Sequence, residues 1–324
     1  DLNPEDVDLI GTSGDDTLSV APTTGTVSLT TVVGTHVPLL RTDAAGENLV
    51  LDGLDGNDRF RITAPQSYAT INTLGGSPGG SDTLEILGQV GVNDAMEVFP
   101  SATTTDGAVV VNAVAVNYGG VEHLQLSGGG DAGDSLVVFD NVLGDNVWNV
   151  TNGNYGDVVQ IDNRESIAYR AFGLVQLLNT TGIDLFRVVP TTLTGASVNL
   201  LVTGTGLDTL DLVGTNGADT MNQTGAAQFT VNGKAVNFGG IRTLQLTGLA
   251  GVDTLTADLS TLAGGVTNLI VDGGQPTASG GNPADTLNLT VAGSARITQS
   301  GDYGSGEVDN AGAVVVDYSE FEAL

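Results

Sequence analysis

Cysteine is absent from the 324 residues, so neither disulfides nor thiolate metal sites contribute to this chain. Lysine occurs once, at Lys234, and with eight arginines it faces 38 acidic residues, for a formal charge of -29. No basic stripe exists, which excludes nucleic-acid binding. Two histidines, His36 and His123, cannot supply the three or four nitrogen or sulfur ligands of most zinc sites. There is no Gly-x-Ser-x-Gly elbow and no phosphate-cradling Gly-Lys-Ser/Thr loop. No apolar run approaches the ~20 residues of a membrane-spanning helix, so no membrane insertion is expected. No stretch shows sustained helical periodicity. The 47 glycines follow no three-residue period, which excludes a collagen-like helix. No signal peptide opens the chain, and the acidic start Asp1-Leu-Asn-Pro-Glu-Asp-Val-Asp8 reads as mature numbering or an excised fragment.

What is present is apolar enough to fold. Hydrophobic residues make up 40% of the chain, too many for disorder despite the charge. Of the acidic residues 29 are aspartate, whose short carboxylate suits turns and oxygen-ligand metal sites. Runs such as Ala108-Val-Val-Val111, Ser135-Leu-Val-Val-Phe139 and Val198-Asn-Leu-Leu-Val202 are short, β-branched and bounded by turn formers, the pattern of strands. Asn232-Gly233 between two apolar runs predicts a type I′ hairpin. The fold class is therefore all-β, a repeat-built β-solenoid or β-helix-like rod. A string of small hairpin-containing β-sandwich domains is the alternative.

Two motifs recur. Val116-Asn-Tyr-Gly-Gly-Val-Glu-His-Leu-Gln-Leu126 matches Val236-Asn-Phe-Gly-Gly-Ile-Arg-Thr-Leu-Gln-Leu246, with weaker copies around Tyr169 and Tyr318. The aromatics Tyr118, Tyr169, Phe238 and Tyr318 read as core plugs. The second motif is a turn, Gly-x-x-Gly-x-Asp-x-apolar. It stands at Gly11-Thr-Ser-Gly14-Asp-Asp16-Thr-Leu18, Gly53-Leu-Asp-Gly56-Asn-Asp58-Arg-Phe60, Gly214-Thr-Asn-Gly217-Ala-Asp219-Thr-Met221 and Gly248-Leu-Ala-Gly251-Val-Asp253-Thr-Leu255. Both glycines are expected to allow positive φ. Together the motifs divide the chain into repeat units 1–88, 89–139 (shortened), 140–213, 214–293 and 294–324 (partial), as in a segment of a longer array.

The turn resembles the haemolysin-type (RTX) calcium-binding repeat, Gly-Gly-x-Gly-x-Asp-x-apolar-x, found dispersed in large repeat-built bacterial surface proteins. That resemblance implies a β-roll, an extracellular or cell-surface location, and Ca²⁺ at Asp16, Asp58, Asp219 and Asp253. Spacing adds two candidate groupings: Asp208 with Asp219 for a shared ion, and Asp52, Asp55 and Asp58 within one acidic loop. Most copies stand alone, whereas Ca²⁺ takes roughly 6–8 oxygens. The other reading of each Asp is a backbone cap without metal.

A structural or assembly role follows as the expectation: a surface-layer, filament or stalk segment that self-associates head-to-tail or edge-to-edge. An adhesin or carbohydrate-binding module is the alternative, with a glycan or cell-surface ligand held by loops 75–80 and 275–283. Catalysis is not expected. His123 occupies the place of Thr243 on a surface strand, and Arg59 and Arg61 are expected to pair with Asp55 or Asp58. A polysaccharide lyase or glycosidase is the remaining enzymatic reading.

Overall fold

The computed structural model describes residues 6–31, 36–39, 46–76, 81–140, 144–194, 199–263, 265–276, 285–291, 295–299, 304–309 and 314–321. These residues are all-β apart from one 3₁₀ turn at Pro190–Thr192. The chain forms two compact units. One comprises Asp1–Val142, Asn152–Gln176 and Thr194–Val198, and the other Leu143–Thr151, Leu177–Leu193 and Asn199–Leu324.

In the first unit, parallel strands stack rung upon rung. Strands Asp6–Ile10, Asn48–Asp52, Thr70–Leu74 and Val114–Gly119 form one stack. Strands Asp16–Val20, Arg59–Thr63, Thr83–Leu87, His123–Ser127 and Ser166–Arg170 form another. Alternation explains why the second stack holds. Inward positions bring Leu18, Phe60, Leu84, Leu124 and Ile167 into register, each no more than 1% exposed. One residue pair further on, Val20, Ile62, Ile86, Leu126 and Tyr169 make a second apolar row. Each such side chain contributes about 1.5–3 kcal/mol on burial.

The second unit repeats this logic. Trp148, Phe186, Leu210, Leu244, Leu269 and Val316 occupy one register row across six parallel strands. The Trp148 and Phe186 rings lie 5.0 Å apart. A further stack is Thr220–Gly225, Thr254–Asp258 and Thr286–Thr290.

Antiparallel meanders interrupt the parallel stacks. Strands Asp16–Val20, Val27–Thr31 and His36–Leu39 pair as a three-stranded antiparallel meander in the first unit, as do Ala95–Pro100, Gly107–Val111 and Val114–Gly119. In the second unit strands Thr220–Gly225, Gln228–Val231 and the start of Lys234–Thr247 pair in the same way, as do Arg296–Gln299, Gly306–Asp309 and Val315–Ser319. Asn232 (φ 50) and Gly233 (φ 79) make the expected I′ turn, with Val231 opposite Lys234. Asn112 (φ 48) and Ala113 (φ 70) make a second turn with both central residues at positive φ, one the sequence reading lacked because alanine is not a residue that marks left-handed turns. The fold is thus a β-solenoid with hairpin excursions. Tyr118, Tyr169, Phe238 and Tyr318 are all buried.

Candidate functional site

The Gly/Asp turns lie over one another between successive rungs, and their aspartates form buried columns. Asp16 N–H donates to Asp58 Oδ1 at 2.8 Å, Asp58 N–H to Asp82 Oδ1 at 2.7 Å, and Asp82 N–H to Glu122 Oε2 at 2.8 Å. In the same unit Asp94 N–H donates to Asp134 Oδ1 at 2.8 Å. Among the described residues the second unit shows two columns. Asn146 N–H reaches Asp184 Oδ1 (2.9 Å) and Asp184 N–H reaches Asp208 Oδ1 (2.6 Å). Asp219 N–H reaches Asp253 Oδ1 (2.7 Å) and Asp253 N–H reaches Asp285 Oδ1 (2.6 Å).

A return bond runs beside each of several steps. Thr83 N–H donates to Asp58 carbonyl oxygen at 2.8 Å, and Thr254 N–H to that of Asp219 at 2.9 Å. Every column therefore has one polarity: a rung gives its Asp N–H to the carboxylate of the next. These charge-assisted bonds are roughly twice as strong as neutral ones. They satisfy backbone groups that a turn buried between rungs would otherwise strand.

Where a column starts, no preceding rung supplies a donor; Asp16 Oδ1 is left buried without a partner, whereas at Asp94 and Asp219 a side chain of the meander takes over. Asn112 Nδ2 donates to Asp94 Oδ1 at 2.6 Å, while its Oδ1 accepts Ala95 N–H at 3.0 Å. Asn232 Nδ2 donates to Asp219 Oδ1 at 2.5 Å, and its Oδ1 accepts Thr220 N–H at 2.8 Å. The remaining column of the second unit begins with Asn146, a neutral residue. These asparagine caps were not found from sequence. Their only signal was an Asn about a dozen or more residues after a motif Asp, meaningful once the hairpin was known.

The turns fall into two kinds. In the Thr kind, Thr12 N–H donates to Asp16 Oδ2 at 2.5 Å and Thr215 N–H to Asp219 Oδ2 at 2.6 Å. In the Leu kind, Leu54 (φ 72) and Leu249 (φ 78) adopt left-handed backbone. There Asp58 Oδ2 and Asp253 Oδ2 are buried without a hydrogen-bond partner. Burial, with neighbouring carboxylates adding to it, pushes the Asp58 and Asp253 carboxyls up to about 6. Burial likewise raises Asp82.

The expected role of the first glycine is corrected by this geometry. Gly11, Gly53, Gly214 and Gly248 do not have positive φ. They are glycine because the motif Asp folds back onto them. A Cβ would lie 2.2 Å from Asp58 Oδ2 at Gly53, 2.6 Å from Asp219 Oδ2 at Gly214 and 2.3 Å from Asp253 Oδ2 at Gly248. Of the second glycines, Gly56 (φ 131) and Gly251 (φ 142) do need the special conformation, whereas Gly14 and Gly217 do not.

Each candidate metal ligand can now be placed. Asp16, Asp58, Asp208, Asp219 and Asp253 are buried column members. Asp208 closes one column and Asp219 opens another, so their carboxylates are bonded to different rungs. Asp208 accepts from Asp184 N–H and Asn179 Nδ2 on Oδ1, and from Thr205 N–H on Oδ2. Asp52 is half-buried and accepts Leu54 N–H at 3.2 Å, while Asp55 is exposed. Among the described residues, no group of three or more His, Cys, Asp or Glu side chains is gathered that could hold a metal ion. In the Leu-kind turns the column carboxylates accept an N–H on Oδ1 and keep Oδ2 without a hydrogen-bond partner. Arg59 and Arg61 are also corrected. They pair with Glu85 of the next rung, at 3.0 and 3.2 Å, not with Asp55 or Asp58. Of the two candidate loops, 77–80 and 277–283 lie outside the described residues.

No family model matches the chain, and no curated protein does. Among solved structures the chain is similar to the extracellular lipase LipA from Serratia marcescens, at 13% identity and a TM-score of 0.25. The alignment covers 99% of this chain and 38% of the lipase chain, so this chain spans well under half of that protein. One expectation is corrected here. The sequence reading set catalysis aside, yet the matched protein is an enzyme, and the exclusion is withdrawn. A likeness this remote carries no argument for lipase chemistry on this chain. Among the described residues, no helix is long and apolar enough to cross a membrane.

Proposed function

We propose that the chain is a segment of an extracellular structural protein, a β-solenoid scaffold whose stacked turns are fastened by aspartate columns and which associates with further copies of itself. The observation that carries this reading is the rung-to-rung bond from each Asp N–H to the next carboxylate. It recurs with the repeat in both units, as a fastening distributed along a scaffold does. The extracellular location rests on the resemblance of the turns to calcium-binding repeats. Cations enter as counterions: a net charge of -29 opposes compaction and association until it is screened.

The test is a calcium titration followed by melting temperature and multi-angle light scattering, with sodium at matched ionic strength as the reference. Equal stabilisation by the two salts, with a particle mass that grows with protein concentration, is the expected result. A ligand held only by the folded state stabilises by about 2.7 kcal/mol at one hundred times its Kd. A calcium-specific shift of that size would overturn the counterion reading, and a constant monomer mass would overturn self-association.

A further inference from the structure

Against the acidity of the whole chain, one face of the first unit is basic. On the outward side of the 16–170 stack, Arg59, Thr83, His123 and Ser166 occupy one register row, and Arg61, Glu85, Gln125 and Ala168 the next row on the same side. Arg170, two residues beyond Ala168, continues the side and lies over the Tyr155 ring at 4.1 Å from its centroid. Three of the chain's nine basic residues thus lie on this side; Arg59 and Arg61 share the one carboxylate of the two rows, Glu85, and Arg170 lies over Tyr155, leaving a local surplus of positive charge.

That surplus is organised and accessible. Glu85 is 4% exposed and is gripped by Arg59 Nη2 and Arg61 Nε. Arg59 Nη2 also donates to Gln125 Oε1 at 3.3 Å. The two side chains remain 44% and 52% exposed. A guanidinium carries five N–H donors in a planar fork, more than these contacts use. Arg170 is exposed as well. Beside them, His123 Nδ1 and Ser166 Oγ share a hydrogen bond at 2.9 Å, a pair able to trade partners with a hydroxyl. With rungs ~4.8 Å apart, the strip from Arg59 to Ser166 runs about 14 Å across three rung spacings.

We propose that this strip binds an acidic polysaccharide. Guanidinium forks match carboxylate and sulfate oxygens in pairs. The neutral Gln125 and the His123–Ser166 pair suit sugar hydroxyls, and a row of separated cations suits a chain of regularly spaced anions better than one small ion. The site is remote in sequence from the Gly/Asp turns and needs no metal. Its occupant is set by charge complementarity, because the remainder of the surface repels polyanions.

The experiment uses the full chain in EDTA at low ionic strength, titrated calorimetrically with dextran sulfate, polygalacturonate, neutral dextran and inorganic sulfate. Two variants test the strip. Arg170→Gln removes a cation with no carboxylate partner in the strip. The Arg59→Gln/Arg61→Gln/Glu85→Gln triple variant removes the grip together with the carboxylate, so that no buried charge is left alone. Charge-assisted bonds contribute enough that each variant should lose at least about tenfold in affinity for a polyanion, at unchanged melting temperature. Whichever polyanion binds more tightly identifies the acidic group. Unchanged affinity in folded variants, no binding of either polyanion, or equal binding of neutral dextran overturns the proposal. Inorganic sulfate binding as tightly as the polymers overturns the polysaccharide in favour of a simple anion site.

Discussion

Replacing Gly248 by alanine places a methyl where the Asp253 carboxylate already lies. The new Cβ would stand 2.3 Å from Asp253 Oδ2 and 2.5 Å from the Gly273 carbonyl oxygen. Something must move, and the carboxylate is held on its other oxygen by Asp219 N–H at 2.7 Å. Overpacking of this kind costs about 1–3 kcal/mol. Displacing the carboxylate strands a buried backbone donor for about another 1–3 kcal/mol. Against this, removing a glycine gains about 0.4–1 kcal/mol by restricting the unfolded chain. The expected net loss is about 1–5.5 kcal/mol. The companion change is Gly217→Ala, at the second glycine of the neighbouring turn. Its φ is ordinary, and the nearest atom to a new Cβ is Thr215 Oγ1 at 3.6 Å. There only the gain applies, about 0.4–1 kcal/mol of added stability. Urea denaturation followed by circular dichroism measures both. Comparable midpoints for the two variants would refute the close-approach explanation and return both glycines to a role in backbone conformation.

Two further outcomes follow from the columns. Asn232→Ala removes the cap on Asp219, leaving buried acceptor capacity unmet, and should cost about 1–3 kcal/mol. Asn232→Gly keeps a left-handed turn yet should lose nearly as much, whereas full recovery in the glycine variant would show that turn conformation alone matters. Stability should also depend on pH in a definite direction. Asp58 and Asp253 are raised from 3.8 to about 6, and Glu165, buried, is pushed up to about 7. A raised carboxyl binds its proton more tightly in the folded chain than in the unfolded one. Its contribution is therefore full below the unfolded value and is lost as pH rises through the folded value. The melting temperature should accordingly fall from about pH 4 to about pH 7. Asp253→Asn, which keeps an oxygen for Asp219 N–H, should flatten part of that fall. A melting temperature that rises across the window would contradict the assignment.

The sequence by itself determined the strands, the recurring turn and the inward rows. Period-two alternation and the Gly/Asp punctuation are local properties, readable without knowing what lies above or below a rung. Asn232-Gly233 was legible for the same reason. What the aspartates do was decided only in three dimensions. Asp16 and Asp58 stand 42 residues apart, Asp219 and Asp253 stand 34 apart, and spacing alone could not say whether a carboxylate faces a cation or the N–H of the next rung. The first glycine of each turn looked like a conformational requirement and proved to be room for a side chain several residues on. The split between Thr12 or Thr215 and Leu54 or Leu249 turned one motif into two, because the backbone at the second position decides whether its N–H reaches the Asp. Arg59 and Arg61 lie near Asp55 and Asp58 in sequence, yet they reach Glu85. Outward side chains of a parallel stack meet their neighbours across rungs, about 4.8 Å away, rather than along the chain.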